Sequence, residues 1–279
     1  MGSRYGGLKQ IDPVGPAGET VLDYAVFDAI RAGFGRVVFV IRREFFDAFQ
    51  ASVSSKYAGR IAVDFVFQST DQLPGGYEAP AGRTKPWGTG HAVWCARESV
   101  LTAFAVINAD DFYGASSFRR LATFLSEAPE ERFAIVGFRL GNTLSENGTV
   151  SRGICTARDG ALVSIVEETA IARKDVGAGL RFSGDELVSM NCWGFSPRVF
   201  SGLDGALRQF LDERIGDPKA EFYLPAAVSG MIASGFARVD VLASDDRWFG
   251  VTYREDKDAV AAAVAALVAS GAYPARLFG

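Results

Sequence analysis

The stretch FAVINADDFYG (104–114) runs an apolar segment straight into two adjacent carboxylates. In open α/β sheets, ligands bind at the carboxyl ends of strands, so Asp110 and Asp111 stand where a site belongs. Two acids at a buried strand end repel each other unless a cation or hydrogen-bond donors offset them. A hard divalent metal with oxygen ligands suits such a place.

The flanking sequence supports the strand. Upstream, GETVLDYAVFDAIRAGFGRVVFVI (18–41) opens with Thr20 and Asp23 at capping-box spacing. Val21, Leu22, Ala25, Val26, Ala29 and Ile30 form one helical stripe, and Gly33 and Gly35 supply a stop. RVVFVI (36–41) is a continuous apolar run, the mark of a strand buried on both faces. The cycle repeats as helix 43–54, strand 61–67, a Gly/Pro-rich loop 69–87, helix 89–100, strand 103–108, helix 117–126 and strand 132–138. Strand alternating with helix predicts an α/β fold with a doubly wound, mostly parallel sheet. After Gly141 the rhythm changes. Residues 149–168 read as two strands around the Asp159-Gly160 turn, and LVSMNCWGF (187–195) as another. Helices at 197–213 and 220–234, a strand near 237–242 and an Ala-rich helix at 257–270 follow. The second half is therefore an antiparallel elaboration. No linker divides the chain, which predicts one domain over 1–279.

Bulk properties narrow the function. The chain has 279 residues, 48% of them hydrophobic, enough for a sizeable core. A net charge of -4 argues against a general nucleic-acid coat or an anionic membrane surface. No apolar run approaches the roughly 18–20 residues of a membrane span, and no charged-then-apolar leader is present. Cys95, Cys155 and Cys192 lack metal-type spacing and read as reduced, buried residues of a cytoplasmic protein. The single histidine, His91, excludes chemistry that needs two and reads as structural.

Two glycine-rich stretches add anion chemistry. MGSRYGGLKQ (1–10) sets Gly2, Gly6 and Gly7 among Arg4 and Lys9, a composition suited to a backbone nest for phosphate or to a flexible basic terminus. KPWGTGHAVWCARE (85–98) places Gly88 and Gly90 at a helix start, where N–H groups point outward.

Taken in order, these stretches resemble the nucleotidyltransferases that make nucleotide sugars. GSR and Lys9 match the end of that family's phosphate loop, and GTGHAV (88–93) its Gly-Leu-Gly-His-Ala segment. NADD (108–111) matches its metal-binding Asp. VEE (166–168), NCWGF (191–195) and EFYLPAAV (221–228) resemble its later segments. The resemblance implies a Rossmann-like, GT-A-like fold, with a nucleotide-binding half at 1–140 and an acceptor half at 141–279. The implied reaction joins an NTP, UTP or dTTP, to a sugar 1-phosphate and releases pyrophosphate. A cytidylyltransferase acting on phosphocholine or another small phosphate, and a non-catalytic nucleotide-sugar-binding module, are the alternatives. Nucleic acid and membrane are not implied partners.

By resemblance, Arg4 with the loop at Gly2 and Ser3 holds the β- and γ-phosphates, and Lys9 sits nearer the α-phosphate. Asp110, with Asp111, holds Mg²⁺. Gln68 reads the base, and Gly88 and Thr89 back the base or ribose. Glu168 and Asn191 reach sugar hydroxyls, and Trp193 and Trp248 are candidates to stack on the ring. The loop 69–87 is expected to be a lid. Thr169 stands where the family has a phosphate-holding Lys, leaving Arg173 or Lys174 to substitute. Gly250 stands where a second metal-binding Asp is expected, leaving Asp246, Asp256 or water. The family also opens with a central strand before its phosphate loop, and the chain is expected to lack it.

Overall fold

The computed structural model describes residues 12–250 and 256–279. In chain order the elements are α1 (Val21–Arg31), β1 (Arg36–Ile41), α2 (Phe46–Tyr57), β2 (Ala62–Phe67), α3 (Thr89–Cys95), β3 (Phe104–Val106) and β4 (Asp111–Phe112). There follow α4 (Ala115–Glu127), β5 (Arg132–Arg139), β6 (Val150–Arg158), β7 (Ala161–Ile171), β8 (Leu187–Phe195), α5 (Val199–Arg214), α6 (Leu224–Ala233), β9 (Arg238–Ser244), β10 (Phe249–Gly250) and α7 (Asp256–Ala269).

Local chemistry explains most boundaries. Thr20 caps α1: its hydroxyl accepts from the Asp23 N–H at 3.2 Å, and the Asp23 carboxylate accepts from the Thr20 N–H at 2.7 Å. Asp159 and Gly160 both take positive φ, 50° and 75°, which is the type I′ geometry that joins β6 to β7. The helix expected from 220 begins only at Leu224. Residues 221–223 are extended instead, because the Phe222 carbonyl accepts from the Gly90 N–H at 2.9 Å and its N–H donates to Trp87. The short pair β4–β10 has no sequence signal, since two residues cannot show a period.

The strands form an α/β fold with a mixed sheet. Six strands lie in the order β3-β8-β5-β9-β7-β6, with β6 also bonded to β8. Within it β5 and β9 are parallel, while β8 runs antiparallel to both β3 and β5. The β6–β7 hairpin is the antiparallel elaboration anticipated after residue 141. β1 and β2 form a separate parallel pair, and β4 pairs antiparallel with β10.

Side chains alternate across the central sheet as a period of two requires. Phe133 and Ile135 of β5, with Trp193 and Phe195 of β8, pack into a core with α3, α5 and α6. The intervening Ala134, Val136, Met190 and Cys192 pack into a second core with α1 and α4. Helices thus cover both faces.

β1 and β3 depart from expectation. Apolar runs of this kind belong to strands buried on both faces, yet most of their residues are only half-buried. An apolar cavity of about 780 Å³ lies between them.

Asp23 ties the first two helices together. It also accepts from the Tyr57 hydroxyl at 2.7 Å and from Lys56 at 2.8 Å, and only 1% of its side chain is exposed. Asp23→Ala leaves four buried or half-buried donors without an acceptor. It should cost about 3 kcal/mol, measurable by urea denaturation; Thr20→Ala should cost only about 1 kcal/mol.

Candidate functional site

The strand β3 delivers Asn108, Asp110 and Asp111 to the end of the sheet. Asp111 is buried. Its carboxylate accepts from Asn108 Nδ2 at 2.8 Å and lies 3.2 Å from the Tyr113 hydroxyl. That hydroxyl in turn accepts from the Asn108 N–H at 3.0 Å and faces the Met190 carbonyl at 2.9 Å. One phenolic proton therefore serves two acceptors. Burial, then the neighbouring Asp110, pushes the Asp111 carboxyl up to about 7, against the pull of Asn108, Tyr113 and Arg152.

A polar pocket of about 270 Å³ opens beside Asp111. Arg152, Glu167, Asn191 and Trp248 line it. Arg152 is 8% exposed. Its guanidinium donates to the Thr143 hydroxyl at 3.1 Å, to the Ser151 carbonyl at 2.9 Å and to the Thr143 carbonyl, and it lies over the Trp248 ring. Burial lowers its pKa to about 10, against the attraction of Asp111 and Glu167. Partial burial raises Glu167, and Arg152 draws it back.

Asn191 sits where the β5–β8 ladder shifts register between Ile135 and Gly137. It takes φ 56°, unusual for a residue with a side chain. A bulge of this kind re-aims a side chain, and the Asn191 Oδ1 is buried with no hydrogen-bond partner among the described residues. The Trp248 Nε1 likewise has no partner among the described residues. Orphaned polar atoms lining a pocket point to a ligand that satisfies them.

Gly250 faces Asp111 across the β4–β10 pair. A Cβ there would come within 2.5 Å of Asp111 Oδ1. The Asp111 carboxylate thus leaves no room for the acid expected at 250. The two acids considered as substitutes are engaged elsewhere. Asp246 accepts from the Ser116 N–H and hydroxyl at 3.2 and 2.5 Å, at the start of α4. Asp256 accepts from Ser145 and Asn147 at 3.1 and 2.9 Å.

The remaining candidates divide. Gln68 Nε2 donates to the Gly88 carbonyl at 3.0 Å and to His91 Nδ1 at 3.1 Å. His91 Nε2 donates to the Gln72 carbonyl at 2.6 Å, which leaves Nδ1 as the acceptor, and burial lowers the imidazole's pKa. Gly88 has φ 106°, and a Cβ on it would meet the Phe222 carbonyl at 2.6 Å. Thr89 accepts the Leu224 N–H at 3.0 Å. Gln68, Gly88 and Thr89 are therefore brought together at the rim of the larger cavity, beside Asn191. Glu168 is outside the polar pocket, ion-paired to Arg181, and its neighbour Glu167 lines it instead. Lys174 is exposed in a short turn away from the pocket. Trp193 is fully buried and stacked on Phe195, so it belongs to the core. Gly2, Ser3, Arg4 and Lys9 lie outside the described residues.

Residues 69–87, expected to be a lid, are anchored. Trp87 is fully buried and donates to the Thr70 carbonyl at 2.8 Å; Arg83 lies on its ring at 3.3 Å and donates to the Asp217 carbonyl at 3.0 Å. Arg152 is the main residue that the motif reading passed over. Its signal was available: it falls in phase with Val150 and Ile154 on the inward face of β6.

No family model matches the chain, and no curated protein matches it. Solved structures do. The inositol-1-phosphate CTP transferase from T. maritima is similar with a TM-score of 0.60 and 10% identity, over 93% of this chain and 89% of that one. A UDP-glucose pyrophosphorylase solved with UDP-glucose is similar with a TM-score of 0.57 and 17% identity, over 92% and 90%. The chain shares the α/β fold of these enzymes. Among the described residues no helix is long and apolar enough to cross a membrane.

The raised Asp111 carboxyl makes a sign-definite prediction. An unfolded Asp titrates near 4, so between about 4 and 7 the folded state holds a proton that the unfolded state has lost. Stability is fully present below that interval and falls as pH rises through it. In EDTA, Asp111→Asn should raise the melting temperature at pH 8 and flatten its fall between pH 5 and 8. An equally steep fall in the variant would contradict the assignment.

Proposed function

We propose that the chain is a nucleotidyltransferase that joins an NTP, UTP or dTTP, to a sugar 1-phosphate, releasing pyrophosphate. One observation carries the reading. The buried carboxylate of Asp111, next in sequence to Asp110, lines a polar pocket whose wall presents Asn191 Oδ1 without a partner among the described residues. The fold shared with two enzymes named for nucleotide transfer or pyrophosphorolysis supports it.

In this reading the acceptor lies in the pocket. Asn191 Oδ1 and Glu167 accept from its hydroxyls. Arg152, fixed by Thr143, supplies positive charge beneath it, in the role for which the sequence offers no lysine at 169. An acceptor phosphate oxygen attacks the α-phosphorus, the bond to the β-phosphate oxygen breaks, and pyrophosphate leaves. Such transfer needs positioning and charge stabilisation rather than a covalent nucleophile. Arg4 and Lys9 are assigned to the triphosphate on the sequence resemblance alone.

The donor set at Asp110 and Asp111 fits Mg²⁺. Both are hard oxygen donors, and Asp111 carries a carboxyl that is costly to ionise without a compensating cation. Among the described residues no group of three or more acidic, His or Cys side chains gathers for a metal. Mg²⁺ commonly uses only one or two carboxylates, with waters and substrate phosphates completing its shell. When bound, the ion would neutralise phosphate charge.

The structural likeness to a CTP-using enzyme keeps a cytidylyltransferase as the second reading. One assay separates them: each NTP with Mg²⁺ and a panel of sugar 1-phosphates and phosphocholine, with pyrophosphate as the readout. Release with UTP or dTTP and a sugar 1-phosphate is expected. Release with CTP and phosphocholine alone supports the second reading, and none under any condition favours a binding module. Asp110→Asn should lower the rate by about 10²–10³ with the fold intact by circular dichroism. Arg152→Met should raise the acceptor KM more than the NTP KM; equal effects on both would remove Arg152 from the acceptor site.

A further inference from the structure

Gln68 directly follows β2 and is among the residues that line the larger cavity. A glutamine amide ordinarily offers a ligand one acceptor and two donors. Here both donors are spent inside the protein. Nε2 donates to the Gly88 carbonyl at 3.0 Å and to His91 Nδ1 at 3.1 Å.

Neither partner can take the opposite role. The Gly88 carbonyl has only lone pairs, and a second bond from the Ala92 N–H at 3.1 Å holds it to the first turn of α3. His91 Nδ1 is committed by the far side of its ring, where Nε2 must carry a proton to meet the Gln72 carbonyl at 2.6 Å. A neutral imidazole protonated on Nε2 keeps a lone pair on Nδ1, and burial favours the neutral ring. The ring is fully buried and stacked on Trp94 with centroids 5.7 Å apart, which holds its plane. The longer contact of Cys95 Sγ with Nδ1, 3.8 Å, also treats that nitrogen as an acceptor. Gln72 is itself supported, because Trp87 and Arg83 anchor residues 69–87.

The amide therefore leaves a ligand one polar atom, the acceptor Oε1. A ligand edge that meets it must lead with a donor. The next step rests on the proposed reading of the ligand as UTP or dTTP. Once joined to ribose, uracil and thymine carry a single N–H, at N3, between two carbonyls. Cytosine has a lone pair at that ring nitrogen, and can bring its amino group to Oε1 only by displacing the ring. A site built to accept from an N–H rejects an analogue that lacks it, because the acceptor is left unpaired.

We propose that His91 is a positioning residue that locks Gln68 as a pure acceptor, and that Gln68 Oε1 selects the N3–H of a uracil or thymine base. His91 itself touches no substrate. Residues 69–87 contribute to base selection through the Gln72 carbonyl, as a fixed support.

The test measures nucleotide dissociation constants by titration calorimetry on the 279-residue protein with Mg²⁺ and without acceptor. The unaltered protein should bind UTP at least about tenfold more tightly than either N3-methyl-UTP or CTP. In His91→Leu the amide keeps one of its two anchors, and the preference for UTP over CTP should fall about fivefold. His91→Asn can set an amide oxygen where Nδ1 stood, and should retain the preference. A merely structural histidine would weaken UTP and CTP by the same factor in both variants, and that result overturns the proposal. Equal affinity of the unaltered protein for UTP and N3-methyl-UTP overturns it without recourse to a variant. Failure to bind any NTP overturns it together with the proposed function. The expected selectivity without pyrophosphate release supports it and removes only the enzymatic reading.

Discussion

The structure turns on the buried carboxylate of Asp111. It is held from three directions by groups with other obligations. Asn108 comes from the end of β3, Tyr113 from the turn into α4, and Gly250 yields space on β10. The Tyr113 hydroxyl links the same node to the Met190 carbonyl in β8. One side chain thus ties the segment after β3 to β8, which lines the polar pocket. A carboxylate here costs desolvation that a valine would not, and its pKa, displaced to about 7, records that cost. Groups retained at such expense commonly do chemistry.

A second constraint joins the two halves of the chain. Gly88 and Gly90 lie so close to Phe222 that a Cβ on either would overlap it, at 2.6 Å from its carbonyl and 2.7 Å from its ring respectively. Thr89 caps the segment that leads into α6. The GTG motif therefore has a packing reason of its own, besides any contact with a nucleotide. Gln68 and His91 belong to the same web, since the tautomer that Gln72 imposes on His91 is the one that accepts from Gln68.

Much of this was legible in the sequence, for identifiable reasons. Strong periods and caps placed α1, β5, β8 and the β6–β7 turn within a residue or two. The apolar run into Asp110-Asp111 pointed to the carboxylate that lines the polar pocket, Asp111. What was not legible depended on register. Glu167 and Glu168 are neighbours in sequence, yet one lines the pocket and the other pairs with Arg181. A bulge at Ala170, with φ 55°, disturbs the alternation nearby, and a one-residue slip exchanges faces. The loop 69–87 misled for a different reason. Its Gly and Pro content discourages regular structure but says nothing of Trp87 and Arg83, whose contacts with distant residues anchor it.

The half-buried state of β1 and β3 bears on the site itself. Gln68, Thr89 and Asn191 lie along the slot between these strands, and Asn191 also faces the polar pocket. Precise placement of a side chain depends on how firmly packing and hydrogen bonds hold the element that carries it. Among the described residues β3 is hydrogen-bonded to β8 alone. Its three-residue length reflects this, since a strand grows only as far as partners and packing hold it. Between β3 and β4, the segment Ile107 to Asp110 is held by the contacts of Asn108 with Tyr113 and Asp111. The position of Asp111 therefore rests on the same few side-chain contacts that join this segment to β8.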